Sequence, residues 1–93
     1  ETKDIMRIFT ERQKVHLQTK SGIYPVRYRL YELEEKLDNQ VFVRISNSEI
    51  VNVRMITKRD ISIAGTIGVI LNGNIKTYAS RSNVTKIKKL FGI

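Results

Sequence analysis

The chain has 93 residues, a length that suits one small domain with a modest core. It has no cysteine, which excludes disulfides and thiolate metal sites, and its 17 Lys and Arg against 9 Asp and Glu give a net charge of +8. The longest apolar run, Ile67 to Leu71 with Gly68 inside it, is far shorter than the ~20 residues of a membrane helix, and Glu1 to Lys3 does not open a signal peptide. We therefore expect a cytoplasmic protein that does not insert into membranes.

The positive charge is concentrated in the second half of the chain. Residues 1–53 contain nine Lys and Arg against eight Asp and Glu, whereas residues 54–93 contain eight against one. This asymmetry indicates a surface for a polyanion, supplied largely by the carboxyl half. Charge alone does not distinguish DNA, RNA or an anionic membrane surface from lysines that merely keep a small domain in solution.

The amino-terminal third of the chain predicts three strands. The first is expected over Ile5 to Thr10, and the polar residues 10–14 connect it to a second strand over 15–19, where apolar and polar residues alternate. The third strand is predicted over 23–28. Because Pro25 cannot donate a ladder hydrogen bond, this strand should lie at a sheet edge or contain a bulge.

The spacing of the apolar residues changes after the third strand. Leu30, Leu33 and Leu37 recur at helical spacing, which predicts a short helix over about 29–38. Its glutamates could suggest a metal or acid–base site, but a solvated helix face is by far the commoner arrangement of such residues. The glutamates concerned are Glu32, Glu34 and Glu35.

The middle of the chain predicts two strands joined by a short loop. Alternating apolar residues over 41–45 have the period of a pleated strand, and Ser46, Asn47 and Ser48 interrupt it before the apolar residues resume. Small side chains that hydrogen-bond their own backbone favour turns, so we expect Asn47 on a loop held between two strands. Asn52 is assigned to structure, where its amide would satisfy backbone groups near the loop.

A hairpin is predicted in the carboxyl half. Asn72-Gly73 is the strongest hairpin signal in the chain, because both residues tolerate positive φ, and it separates strands over 66–71 and 74–79. Pairing 71 with 74 places apolar residues on both faces, so the two strands should pack between two layers. One face would hold Ile67, Val69 and Leu71 beside Tyr78, and the other would hold Ile70 and Ile75.

Two further elements flank this hairpin. A strand over 54–58 should end at a polar break formed by Arg59 and Asp60, and a second helix is predicted over about 82–91, with Ser82 or Asn83 as its cap. The helix has an apolar stripe that should close one end of the core, and its lysines could contact phosphate. The stripe is Val84, Ile87, Leu90 and Phe91, and the lysines are Lys86, Lys88 and Lys89.

The sequence lacks the residues of an enzyme site. His16 is the only histidine, and there is no cysteine nucleophile, no glycine-rich phosphate-binding fingerprint and no cluster with metal-ligand spacing. No serine has a visible base partner. We therefore predict a protein that is not an enzyme and that needs no cofactor or metal. Binding to a polyanion requires only positive charge together with hydroxyl or backbone donors.

Several short motifs, taken in order, resemble a known family. The run FVRISNSEIVN, followed by Ile56, the Asn72-Gly73 hairpin and the Ser80-Arg81 pair, is similar to the LytTR DNA-binding domain of bacterial transcription regulators. The resemblance extends from Asp4 to Leu90. In the central loop this chain has Ser-Asn-Ser where many members carry His-Arg-Ser, and the LYELEEKL segment upstream is more similar to the short, stand-alone branch of the family.

The resemblance implies a mainly β fold, an elongated sandwich of short antiparallel sheets with the two helices. Residues 1–93 would form a single domain. Because the family's first strand and an initiator methionine are missing, we expect a fragment that lacks that strand and any amino-terminal regulatory region. Family members often serve as the output domain of a response regulator and bind direct repeats in promoters, with weak homodimerisation on DNA.

The resemblance also implies that loops, rather than a recognition helix, enter successive major grooves of double-stranded DNA. Asn matches adenine and Arg matches guanine in that groove, and both residue types occur at predicted loops. The implied contact residues fall in three loops: Gln13, with Arg12 or Lys14 as alternatives; Asn47, with Ser46 and Ser48; and Arg81, with Ser80, Ser82, Asn83 and Lys86.

Two alternatives to DNA binding remain open from sequence. An RNA-binding basic β domain would need exposed aromatic residues to stack on unpaired bases, but Phe9, Tyr24, Tyr28 and Tyr31 are dispersed and mostly expected in the core. A β-rich protein-interaction module would carry its charge incidentally. Salt dependence distinguishes this module from a nucleic-acid binder, since affinity for DNA falls steeply with salt for each phosphate contact.

Overall fold

Two antiparallel sheets make up most of the protein. The computed structural model describes residues 2–61 and 67–91, which contain eight strands, two α-helices and three 3-10 turns. The strands are β1 Arg7–Glu11, β2 Lys14–Thr19, β3 Gly22–Val26, β4 Phe42–Ser46, β5 Glu49–Asn52, β6 Ile56–Ile61, β7 Ile67–Leu71 and β8 Ile75–Ala79. The helices are α1 Leu30–Lys36 and α2 Val84–Phe91, and the 3-10 turns are Thr2–Asp4, Val53–Met55 and Arg81–Asn83.

The larger sheet is centred on β1. Its strand order is β3-β2-β1-β5-β4, and the smaller sheet has the order β6-β7-β8. Ile8 of β1 pairs with Leu17 on one side and with Ile50 on the other. The molecule extends 36 × 25 × 24 Å, so the prediction of an elongated, mainly β domain with two helices is confirmed. Pro25 lies in β3, an edge strand, as its missing N–H requires.

The larger sheet separates two apolar clusters. Helix α1 covers one face, where Leu30 packs with residues that alternate along β1, β4 and β5. The other face packs against the smaller sheet and α2, with Val84 and Ile87 of the helix buried as predicted. The α1 cluster is Ile5, Ile8, Leu30, Phe42 and Ile50, and the larger cluster is Met6, Val43, Ile45, Val51, Ile67, Val69, Leu71, Ala79, Val84 and Ile87. The predicted stripe residues Leu90 and Phe91 have side chains outside the described part of the chain.

Asn52 has a structural role, as predicted, but its backbone partners lie at the end of β5 away from the 46–48 loop. It is 2% exposed, its Nδ2 donates to the Ile5 carbonyl at 2.8 Å, and its Oδ1 accepts from the Arg54 N–H at 2.9 Å. The second bond closes the 3-10 turn Val53–Met55. The strand that was expected to begin at Arg54 therefore begins at Ile56 instead.

One buried carboxylate ties the two sheets together. Glu49 of β5 accepts from Arg7 Nη1 of β1 at 3.1 Å and from Thr77 Oγ1 of β8 at 2.6 Å. Arg7 Nε also donates to Gln18 Oε1 of β2 at 2.7 Å. Buried charges occur in proteins when they are paired and hydrogen-bonded, and Glu49, only 8% exposed, satisfies that condition. These partners are distant in sequence and were not foreseen.

The register predicted for the β7–β8 hairpin is wrong. Leu71 pairs with Ile75, so the turn contains a third residue, Asn74, which has φ 63° after Gly73 at φ 82°. A shift of one residue moves every side chain to the other face of a strand. Tyr78 is therefore 54% exposed instead of lying beside Leu71.

The inner face of this hairpin instead adds Thr77 and Ala79 to the core. Lys76 and Tyr78 are exposed on the opposite face, which contradicts the expected packing between two layers.

The polar break predicted at Arg59 and Asp60 is also wrong. Both lie within β6, where Arg59 pairs with Val69 and Asp60 with Gly68. An edge strand tolerates such polar residues, because one side of it faces solvent. The third strand likewise ends at Val26, two residues before the predicted end. No helix within residues 2–61 and 67–91 is long and apolar enough to cross a membrane.

Candidate nucleic-acid interface

Three turns lie side by side at one end of the molecule. The Thr10 N–H donates to the Ser48 carbonyl at 2.8 Å, which joins the end of β1 to the β4–β5 turn. The Ser80 N–H donates to the Ile45 carbonyl at 2.7 Å, which joins the end of β8 to β4 two residues before that turn. The fold thus brings together the three segments in which contact residues were predicted.

The β1–β2 turn is tighter than the predicted polar connection. Only Arg12 and Gln13 lie outside the strands, because Glu11 already pairs with Lys14. Both turn residues are exposed and both have positive φ, 52° and 68°, the conformation that normally selects Asn-Gly in a two-residue hairpin. Arg12 and Gln13 therefore expose long polar side chains from left-handed backbone conformations, which are unfavourable for residues other than glycine and asparagine.

The β4–β5 turn presents Asn47 from a rigid backbone. Ser46 Oγ accepts from the Ser48 N–H at 3.2 Å, the local side-chain bond that we predicted for this loop. Arg44 Nε donates to the Ser46 carbonyl at 2.7 Å and its Nη2 to the Asn47 carbonyl at 2.8 Å. Asn47 and Ser48 are exposed, as expected for residues on a loop between two strands.

Arg44 was not singled out from sequence, although it holds the central turn. Besides the two turn carbonyls, its Nη1 contacts Glu34 Oε1 of α1 at 3.1 Å. A guanidinium fork can make several directed hydrogen bonds at once, which a lysine ammonium cannot match. The only signal in the sequence was an arginine two residues before the loop.

The third turn is held by its own side chains. The Asn83 N–H donates to the Ser80 carbonyl at 3.0 Å, and Asn83 Nδ2 donates to Ser80 Oγ at 2.8 Å. Ser80 Oγ also lies 3.2 Å from Ser82 Oγ. These bonds fix the side chains of Ser80 and Asn83 in the turn. The backbone of Arg81 begins the turn, but its side chain lies outside the described part of the protein.

Two grooves that share Arg44 lie on the surface near these turns: the first borders the β1–β2 and β4–β5 turns, and the second lies between α1, β4 and α2. The first, about 720 Å³, is lined by Gln13 and Asn47 together with four cationic side chains, and no acidic residue of the described chain lines it. The cations are Lys14, Arg27, Arg29 and Arg44. The second groove, about 580 Å³, is lined by Lys86, Lys89, Glu34 and again Arg44. Arg44 therefore separates the two grooves and borders both.

The positive charge of the first groove does not come from the carboxyl half. All four cations of the first groove belong to residues 1–53. The net charge of that segment is close to zero, but its acidic residues do not line the groove. Counting charges along the chain therefore did not indicate that the amino-terminal half contributes this part of the positive surface. The carboxyl half contributes Lys86 and Lys89 to the second groove.

The tyrosines expected in the core are exposed. Tyr24, Tyr28 and Tyr31 are 46%, 47% and 59% exposed, because β3 is an edge strand and α1 buries Leu30 instead. Tyr28 and Tyr31 line the first groove. Among the described residues, no group of His, Asp and Glu is arranged to hold a metal ion.

Comparison with known proteins identifies the family. The model of the LytTr DNA-binding domain matches residues 1–92. The chain belongs to the LytTR family. A LytTr DNA-binding domain from Bacillus cereus superposes with a TM-score of 0.93 over 98% of this chain and 84% of that chain, at 23% sequence identity, and thus has the same fold.

The curated relatives of this chain are described as transcriptional regulators. Uncharacterized HTH-type transcriptional regulators of Staphylococcus aureus strains bovine RF122 / ET3-1 and NCTC 8325 / PS 47 are each 36% identical over 90 residues, 97% of this chain and 60% of the relative. The LytTR chain thus spans about 60% of the length of these relatives. In the described part of the LytTR domain, five strands separate α1 from α2, so these helices do not form a helix-turn-helix pair.

Proposed function

We propose that this LytTR domain binds double-stranded DNA sequence-specifically through its three adjacent turns, as part of a bacterial transcription regulator. The observation that supports this proposal most strongly is the pair of backbone hydrogen bonds, Thr10 to Ser48 and Ser80 to Ile45, that brings the strand ends next to the three turns together. The family and the regulator relatives support the same role. In bacteria such a domain meets its DNA in the cytoplasm.

In this proposal the turns divide the work between base edges and phosphates. Asn47 and Gln13 carry amides that can bond adenine at two atoms, and Arg81 carries the fork that matches guanine. Arg12, Lys14 and Lys86 supply charge for phosphates, and the serine hydroxyls, with Asn83, add donors that fix the position on the duplex. The turns enter successive major grooves, and a second domain binds the next direct repeat, with weak contact between the two copies.

Selection from a random pool of duplex DNA, followed by titration of variants, tests these roles. We expect Asn47→Ala and Arg81→Ala each to weaken binding to the selected site by about 1–3 kcal/mol, with little change on a scrambled duplex. Gln40→Ala, an exposed amide at the opposite end of β4, and Arg54→Ala, in the turn after β5, are matched controls. An equal loss on the scrambled duplex would reassign the residue to a phosphate contact.

A second function is favoured by one observation, the exposure of Tyr24, Tyr28 and Tyr31. Exposed aromatic rings beside positive charge are the usual platform for unpaired bases, so single-stranded RNA is the alternative ligand. Titration with a single-stranded RNA pool at the same salt decides between the two. Tighter binding to RNA than to any selected duplex would favour the alternative.

A further inference from the structure

The segment between β3 and α1 adds positive charge beside the three turns. This linker, residues 27–29, has the sequence Arg-Tyr-Arg, and all three residues are exposed. Val26, the last residue of β3, pairs with Val15 of β2, one residue after Lys14. The linker therefore starts at the end of the sheet where Gln13 lies, and both arginines line the first groove with Gln13 and Asn47.

The carboxylate beside the linker contacts its backbone and not its guanidinium groups: Glu32 Oε1 accepts from the Arg29 N–H at 3.0 Å. Within residues 2–61 and 67–91, no carboxylate forms a salt bridge with Arg27 or Arg29. Lys14 and Arg44 line the same groove, and none of the described residues that line it is acidic. Arg44 is paired with Glu34 at 3.1 Å, so its charge is partly offset. Lys14, Arg27 and Arg29, which form no salt bridge with the described residues, favour an anionic occupant.

The other groups around the groove indicate which anion. Gln13 and Asn47 stand at its border, so an occupant of the groove is continuous with whatever these two amides contact. Arginine binds phosphate oxygens through two parallel N–H donors, and phosphate contacts supply most of the affinity of proteins for duplex DNA. A sugar-phosphate strand that carries the bases beside Asn47 and Gln13 meets these requirements.

Tyr28 favours this occupant over unpaired bases. The ammonium of Lys36 lies 5.3 Å from the centre of the Tyr28 ring, over one of its faces. A ring with a cation on one face has less surface free for stacking a base. The hydroxyl group of Tyr28 is polar and, like the guanidinium groups beside it, can donate to phosphate.

We propose that Arg27 and Arg29 form a phosphate clamp that holds the DNA backbone next to the bases contacted by Asn47 and Gln13. This inference rests on the proposed function and extends the DNA surface beyond the three turns. The clamp provides affinity without sequence preference, because phosphates are the same at every position. It thereby assigns separate tasks to the linker and to the turns.

The test compares charge-matched double variants on two duplexes. Arg27→Gln with Arg29→Gln removes two positive charges at the groove, and Lys3→Gln with Lys20→Gln removes two at the other end of the larger sheet. Lys20 follows β2, roughly 23 Å from Gln13 of the β1–β2 turn at ~3.3 Å per strand residue, and Lys3 precedes β1 at the same end. Arg27→Lys with Arg29→Lys keeps the charge and should restore most of the affinity.

The clamp predicts a uniform loss of affinity. At about 0.15 M salt the Gln variant should bind both the selected site and a scrambled duplex about 30-fold more weakly, the counterion term for two phosphate contacts. For this variant the slope of log affinity against log salt should become shallower by about 1.8. The control variant, Lys3→Gln with Lys20→Gln, should change the slope far less. Unchanged melting temperatures verify that all variants are folded.

The alternative outcomes separate this inference from the proposed function. Losses equal to those of the Lys3 and Lys20 control would overturn the clamp while selective binding by the unmodified domain still supports the turns. A loss restricted to the selected site would make the arginines base contacts, and a loss restricted to single-stranded RNA would assign the groove to RNA; both overturn the clamp. If the unmodified domain shows no preference among duplexes, the proposed function fails, and the salt slope on a scrambled duplex still decides the clamp.

Discussion

The strained turn between β1 and β2 leads to a prediction in which stability and binding change in opposite directions. Arg12 and Gln13 have φ values of 52° and 68°, which L residues other than Asn and Gly adopt at a cost. Replacing them with Asn-Gly keeps the two-residue hairpin and supplies the pair that this turn prefers. The double variant Arg12→Asn with Gln13→Gly should therefore be more stable and bind DNA less well.

The backbone angles determine the expected gain in stability. A left-handed conformation costs a non-glycine residue roughly 1–2 kcal/mol; glycine removes this cost at position 13, and asparagine removes about half of it at position 12. The unfolded chain gains freedom from the new glycine, which removes about 0.5–1 kcal/mol of that benefit. A net gain of about 1–2 kcal/mol should raise the melting temperature by roughly 5–10 °C for a domain of this size.

The same substitution should weaken binding to the selected site by about 1–3 kcal/mol, because the Gln13 amide is lost. It should also make the salt slope shallower by about 0.9, because the Arg12 charge is lost. Thermal denaturation followed by circular dichroism and fluorescence anisotropy with labelled duplexes measure the two effects on the same samples. A lower melting temperature would refute the argument from backbone strain, and unchanged selective affinity would remove Gln13 and Arg12 from the DNA surface.

Five further substitutions test the hydrogen bonds and ion pairs that hold the fold and the central turn. Asn52→Ala should lower the free energy of unfolding by about 2–3 kcal/mol in urea denaturation, because the Ile5 carbonyl and the Arg54 N–H lose their buried partners. In the same assay Glu49→Ala should lower the free energy of unfolding by about 2–4 kcal/mol, because it leaves Arg7 without its anion. Thr77→Val removes only the hydroxyl bond to Glu49 and should lower it by about 1 kcal/mol. Equal losses would contradict a stabilising role of the ion pair. Arg44→Lys should weaken selective binding in a duplex titration more than Glu34→Gln does, because a lysine cannot hold both turn carbonyls, whereas the exposed pair with Glu34 contributes at most about 1 kcal/mol.

The sequence correctly predicted the helices, strands and turns that depend on residues close together in the chain. The leucine spacing of α1 and the alternation in β4 depend on neighbouring residues along the chain, and both are found in the structure. The turn at Asn47 and the backbone bonds of Asn52 follow from short polar side chains, and they were predicted for that reason.

Predictions failed where distant or conformational information was required. Asn74 adds a left-handed residue to the β7–β8 turn, and neither its neighbours nor Asn72-Gly73 indicate a third turn residue. Glu49 meets Thr77 only after the two sheets have packed. Tyr31 is among the aromatic residues that were mostly expected in the core, but α1 buries Leu30 and leaves Tyr31 59% exposed.

The sequence allowed the turn residues of the candidate site to be predicted, but not the residues that line its grooves. Asn47 and Gln13 could be proposed from residue type and a resemblance, since each lies in a short turn that the sequence marks. Arg27 and Arg29 lie in a stretch that was expected to be strand and the start of a helix. Only the pairing of Val26 with Val15 brings that stretch to the same end as Gln13.

The ratio of affinities for a selected duplex and a scrambled duplex of equal length tests the central claim most directly. Specific DNA-binding proteins prefer their sites by a factor of about 10³ or more, and base contacts, unlike phosphate contacts, keep that preference as salt rises. The account predicts a large ratio that persists between about 50 and 200 mM salt and falls when Asn47 is replaced by alanine. A ratio near one at both salt concentrations would show that the three turns do not distinguish DNA sequences, and would contradict the account.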